Sequence, residues 1–61
     1  MPRSSLLSLR RRFAVCRESG HKQMGLRALR DALALEDRNP ERVAELVAKA
    51  AFHLPYAAAA R

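Results

Sequence analysis

The side chains of this chain that can hold a proton, attack a carbon or bind a metal are Cys16, His21, His53, Tyr56 and six carboxylates. Nucleophilic catalysis needs a base beside the nucleophile and a third group to orient that base. No spacing along the chain supplies such a set, and there is neither a glycine-rich phosphate loop nor a paired-histidine metal motif. A single cysteine excludes an internal disulfide, and Cys16, His21 and His53 are too few and too scattered for a zinc finger. The expectation is therefore a non-enzymatic protein with no cofactor and no metal, and the lone thiol suits a reducing, cytoplasmic setting. Cys16 reads as a small hydrophobe beside Phe13, and His53 as a helix-end histidine meeting terminal carbonyls.

Binding chemistry is better represented. Residues 1–30 carry eight Lys and Arg against Glu18 alone, whereas residues 31–61 carry four cations against five acids, so the net charge of +6 is concentrated in the first half. A one-sided field of this kind attracts an acidic protein surface or a polyanion. Ten of the twelve cations are Arg, whose planar fork suits carboxylate and phosphate. Arg3, Arg10 and Arg17 recur every seven residues and form one stripe if a helix carries all three. A second group, His21, Lys22, Gln23, Arg27 and Arg30, opens the next segment. The Arg10-Arg11-Arg12 triplet is weaker evidence, because three consecutive helical residues fan over about 200° and cannot all touch one ligand.

Three kinds of partner suit this pattern. The first is an acidic protein surface on which the chain docks as an adaptor, small subunit or inhibitor. The second is nucleic acid: residues 13–30 partly fit a helix-turn-helix, with Cys16 four before Gly20 and Leu26 and Leu29 six and nine after it. In that layout His21, Lys22, Gln23 and Arg27 would open the recognition helix. Ser19 and His21, polar where that motif wants apolar residues, weaken the fit. The third is a membrane surface, since residues 4–17 set Leu6, Leu7, Leu9 and Phe13 against several Arg. Residues 1–17 are also Arg- and Ser-rich without an acid, as organellar transit peptides are. No apolar run is long enough to span a bilayer.

The elements that must position these groups are helical. Ser4 or Ser5 can cap a first helix whose Leu6, Leu9, Phe13 and Cys16 share a face, and Gly20 supplies its stop. A second helix places Leu26, Leu29 and Leu33 on one face, with Gly25 weakening its first turn by up to about 1 kcal/mol relative to Ala. Asn39-Pro40-Glu41 is the clearest start signal: an N-cap, a proline at N1 where its missing N–H costs nothing, and an acid in the first turn. Val43, Leu46, Val47, Ala50 and Leu54 follow as a buried stripe, and Pro55 is expected to end it. The fold class expected is all-α, a small three-helix bundle or a helical hairpin with an additional N-terminal amphipathic helix, over about 5–18, 22–37 and 40–54. It forms one domain, 1–61, with 55–61 as a frayed tail. Leu35, Phe52 and Tyr56 fall off the apolar stripes and read as an interface with a partner or a second copy, which a chain of 61 residues with a small core has reason to use.

Overall fold

The computed structural model describes residues 3–35 and 38–59. It contains three helices, α1 (Arg3–Ala14), α2 (Gly20–Leu35) and α3 (Pro40–Ala59), arranged as a three-helix bundle, and no strand among the described residues. The core is Leu6 and Phe13 from α1, Ala28, Leu29 and Ala32 from α2, and Val43, Leu46, Val47 and Ala50 from α3. On α2 only Leu29 of the Leu26/Leu29/Leu33 stripe is buried, because the helix turns its small residues Ala28 and Ala32 to its neighbours. Ala57, near the end of α3, joins them. Leu9, Cys16, Leu26, Leu33, Leu35 and Leu54 pack around this centre and stay partly exposed.

The helix boundaries differ from the sequence expectation, each for a local reason. The first helix begins at Arg3 rather than at Ser4 or Ser5, and it ends at Ala14 rather than near residue 18. A tight turn closes it, the Cys16 N–H donating to the Phe13 carbonyl at 3.0 Å. Gly20 does not stop a helix but starts one. Ser19 is the N-cap of α2: its hydroxyl accepts the Lys22 N–H at 3.2 Å, and its carbonyl accepts the Gln23 N–H at 3.1 Å. The end of α2 is held by Arg38, which donates to the carbonyls of Ala34 (2.8 Å) and Leu35 (3.2 Å). Asn39 caps α3 as its sequence implies, its side-chain oxygen accepting the Arg42 N–H at 3.1 Å.

Pro55 is the largest departure. It lies inside α3, which continues through it to Ala59. A proline removes one backbone donor and crowds the carbonyl four residues back, that of Ala51. Both Pro55 and Ala51 are exposed, so that carbonyl can turn to water. Beyond the proline, fully buried Ala57 holds the last turn onto the bundle. Residues 55–59 thus belong to the fold, while Ala60 and Arg61 lie outside the described residues. So do Glu36 and Asp37, the last two positions of the second helix expected over 22–37.

Gly25 also takes a different role. It is buried, and a Cβ built on it would overlap the ring of Phe13. The glycine that propensity marks as a weak point is the notch in α2 that admits the largest core side chain of α1.

Candidate functional site

Part of each basic group that the sequence separates comes together along one groove: Arg3 and Arg10 of the first, Gln23, Arg27 and Arg30 of the second. Arg3 and Arg10 project from α1, and Leu26, Arg30, Leu33 and Ala34 from α2, around a groove of about 530 Å3. Its neighbour on α2, lined by Gln23, Leu26, Arg27 and Arg30, shares Leu26 and Arg30 with it. The result is one furrow with a leucine floor and a guanidinium rim, formed by α1 and α2 with no residue of α3 lining it. Arg3 and Arg10 share a face because seven residues are close to two helical turns. Gln23, Arg27 and Arg30 share one for the same reason, at i, i+4 and i+7.

The rim is little committed within the chain. Among the described residues the ion pairs are Lys22–Glu18 (3.7 Å), Arg30–Asp31 (3.8 Å) and Arg42–Glu45 (3.0 Å). The Arg30–Asp31 pair joins side chains 76% and 54% exposed, so water screens it and a ligand carboxylate can compete for the guanidinium. Arg3, Arg10 and Arg27 have no ion-pair partner among the described residues.

The other predicted binding residues lie elsewhere. Arg17 leaves the heptad stripe because α1 ends at Ala14; it lines a separate hollow with Arg12, Val15, Cys16, Leu54 and Ala58. Lys22 is turned inward to the fold: its Nζ donates to the Cys16 carbonyl at 3.0 Å, and its side chain is 15% exposed. Gln23 stays at the edge of the furrow and donates to Glu18 Oε1 at 3.3 Å. The helix-turn-helix layout is not reproduced, since Cys16 falls in the connection and Gly20 inside α2. Cys16 is partly buried, its thiol donating to the Arg12 carbonyl at 3.3 Å.

His21 and His53 form the cluster that the sequence did not reveal. Their Nδ1 atoms lie 2.9 Å apart, one donating and the other accepting. His53 is 6% exposed, and α3 runs past it to Ala59, so it stands within the helix with its Nδ1 on His21 rather than at a helix end. His21 stacks on Tyr56 (centroids 5.0 Å, planes 25° apart), and Phe52 meets His53 edge-on at 5.2 Å and Tyr56 at 5.5 Å. The histidine centroids are 5.2 Å apart. That is the N···N distance lengthened at each end by a ring radius of about 1.2 Å, as follows from C–N bonds near 1.33 Å. The two nitrogens therefore lie close to the line between the rings and face each other, the geometry of a hydrogen bond rather than of two lone pairs converging on a metal ion. Among the described residues no group of three or more His, Cys, Asp or Glu could hold one.

This cluster ties the first turn of α2 to the last turns of α3 across thirty-two positions of sequence. His21→Ala is expected to cost about 1–3 kcal/mol, because it strands the Nδ1 of buried His53 and removes the face on which Tyr56 stacks. A thermal melt checks this; an unchanged midpoint would show that the bond carries no stability. Of the expected apolar interface, Phe52 and Tyr56 are 61% and 52% exposed and adjacent, whereas Leu35 packs against the core and does not join them.

No protein-family model matches the chain, and neither a curated protein nor a solved structure matches it. Among the described residues no helix is long and apolar enough to cross a membrane.

Proposed function

We propose that this is a non-enzymatic binding protein, an adaptor, small subunit or inhibitor, that docks on an acidic protein surface through the α1/α2 groove. The observation that carries the reading is the pairing of a leucine floor with a guanidinium rim: partly buried Leu26 and Leu33 of α2 line one groove with exposed Arg30 of the same helix and exposed Arg3 and Arg10 of α1. A polyanion needs only the charges, whereas a protein surface uses both, burying apolar area at the centre and pairing charges at the edge. The lone, partly buried thiol is compatible with a cytoplasmic site of action. Exposed Phe52 and Tyr56 offer a second contact through which the chain can oligomerise.

Nucleic acid is the second reading, favoured by the Gln23/Arg27/Arg30 stripe on α2, whose side chains could follow phosphates or base edges. The two separate in a pull-down with and without nuclease, using the native chain and Arg10→Glu/Arg30→Glu. Both arginines are exposed, so the double variant keeps the core intact. A protein that is retained after nuclease and lost on charge reversal is the expected result. Recovery of nucleic acid alone, abolished by nuclease, would overturn the first reading in favour of the second.

A further inference from the structure

We infer that the occupant of the α1/α2 groove is an acidic amphipathic helix of the partner protein, laid along the groove as the fourth helix of a bundle. This rests on the reading of the chain as a binder of acidic protein and goes further by specifying the shape and register of what is bound.

The spacing of the groove carries the inference. Along α1 the rim residues Arg3 and Arg10 are seven apart, and along α2 the floor residues Leu26 and Leu33 are seven apart. At 1.5 Å per residue, each pair spans about 10.5 Å, two turns of helix. Residues 15–19 join α1 to α2 in a short connection, and Phe13 near the end of α1 meets Gly25 early in α2, so the two walls run antiparallel. A ligand helix repeats its own face at that same interval, so apolar residues at i, i+3 or i+4, and i+7 can seat on Leu26, Leu33 and the small side chain of Ala34 together. Its flanking acids then fall beside Arg3 and Arg10 of α1 and Arg30 of α2, the positions where charge pairs select the partner of a helix seam. An extended strand repeats a face about every 6.6 Å and would not keep this register.

The surroundings favour the same occupant. The core side of both helices is filled by α3, while the groove is bounded by α1 and α2 alone. Leu26 and Leu33 are only partly buried, so a fourth helix would complete their burial. Charge selects against a second copy of this chain, which has a net charge of +6. A lipid surface, being flat, would meet the outward guanidinium rim and leave the leucine floor uncovered.

The test uses the full chain and a labelled synthetic peptide of about five turns, with Leu at heptad seam positions and Glu at the flanking ones. A second peptide has the same composition with the Leu order permuted, and a duplex DNA serves as the third probe. Fluorescence anisotropy is read at low and near-physiological salt. The expected result is that the patterned peptide binds at least about tenfold tighter than the permuted one, and that Arg10→Glu/Arg30→Glu removes at least about tenfold of that affinity. Amide shift mapping on the unmutated protein keeps the outcome independent of variant folding: the shifts should cluster on residues 3–10 and 26–34. Equal binding of both peptides, or shifts centred on Phe52 and Tyr56, overturns the groove-bound helix while leaving an acidic protein partner in place. Binding of DNA with no binding of either peptide overturns the acidic-partner reading itself.

Discussion

Phe13→Ala is expected to lose about 3–5 kcal/mol, a cost typical of removing a buried aromatic ring. At about 0.05–0.15 kcal/mol per residue, a chain of this length has total stability of similar size, so the variant should be largely unfolded at room temperature. Phe13 is fully buried, is one of the two largest side chains so enclosed, and sits in the notch left by Gly25. It is also the residue through which short α1 reaches the rest of the core, Leu6 being the other buried side chain of that helix. Circular dichroism with a urea titration checks the expectation. A cooperative transition whose midpoint moves only slightly would show that the ring is not the anchor of α1.

The second large effect has a sign opposite to the one that helix propensity suggests. Ala in place of Gly in a helix interior normally adds up to about 1 kcal/mol. Gly25→Ala should instead destabilise by about 1–3 kcal/mol, because the new methyl occupies space held by the Phe13 ring and forces the ring or a helix to shift. In a domain of this size that corresponds to a fall in melting temperature of about 4–8 °C for each kcal/mol. Combining Gly25→Ala with Phe13→Leu should cost less than the sum of the two single changes, because the smaller side chain vacates the contested volume. Additive losses would place the two residues out of contact, and a raised melting temperature for Gly25→Ala would remove the notch altogether.

The groove and the notch share an origin that bears on how α1 is held. Leu6 and Phe13 face the core, while Arg10, about 40–60° round the helix from each at 100° per residue, faces the groove. One short helix thus contributes both to the centre and to the binding rim. Loss of Phe13 packing should therefore weaken ligand binding even though Phe13 does not line the groove, whereas Arg10→Glu should affect binding with little change in stability.

Several features were legible in the residues alone because they depend on neighbours within a turn or two. The three helices follow from apolar spacing: Leu6 and Phe13 on one, Leu29 on the next, and Val43, Leu46, Val47 and Ala50 on the third are all buried. The Asn39-Pro40 start is made by contacts over three and four residues, and it forms as expected. The Arg3/Arg10 spacing and the Arg27/Arg30 group could likewise be recognised, each as a separate cluster. Ser19 is a residue type that caps helices, but the glycine after it reads as a stop, since glycine is common just past a helix end.

What the chain determines by itself is its division into helices, most of the apolar face of α3 and the cationic bias of its first half, since periodicity and charge are properties of local sequence. Which side of α2 is buried is not among them, because its small residues Gly25, Ala28 and Ala32 take the core and leave Leu26 and Leu33 partly exposed. Tertiary structure alone decided the rest. Pro55 stays within α3 because Ala57 gains a buried place beyond it and because both the proline and Ala51 face solvent. Gly25 is favourable because a ring from another helix fills the space a side chain would take. His21 meets His53, and Arg3 and Arg10 share a leucine-floored groove with Arg30, because packing the helices sets the distance between residues far apart in the chain.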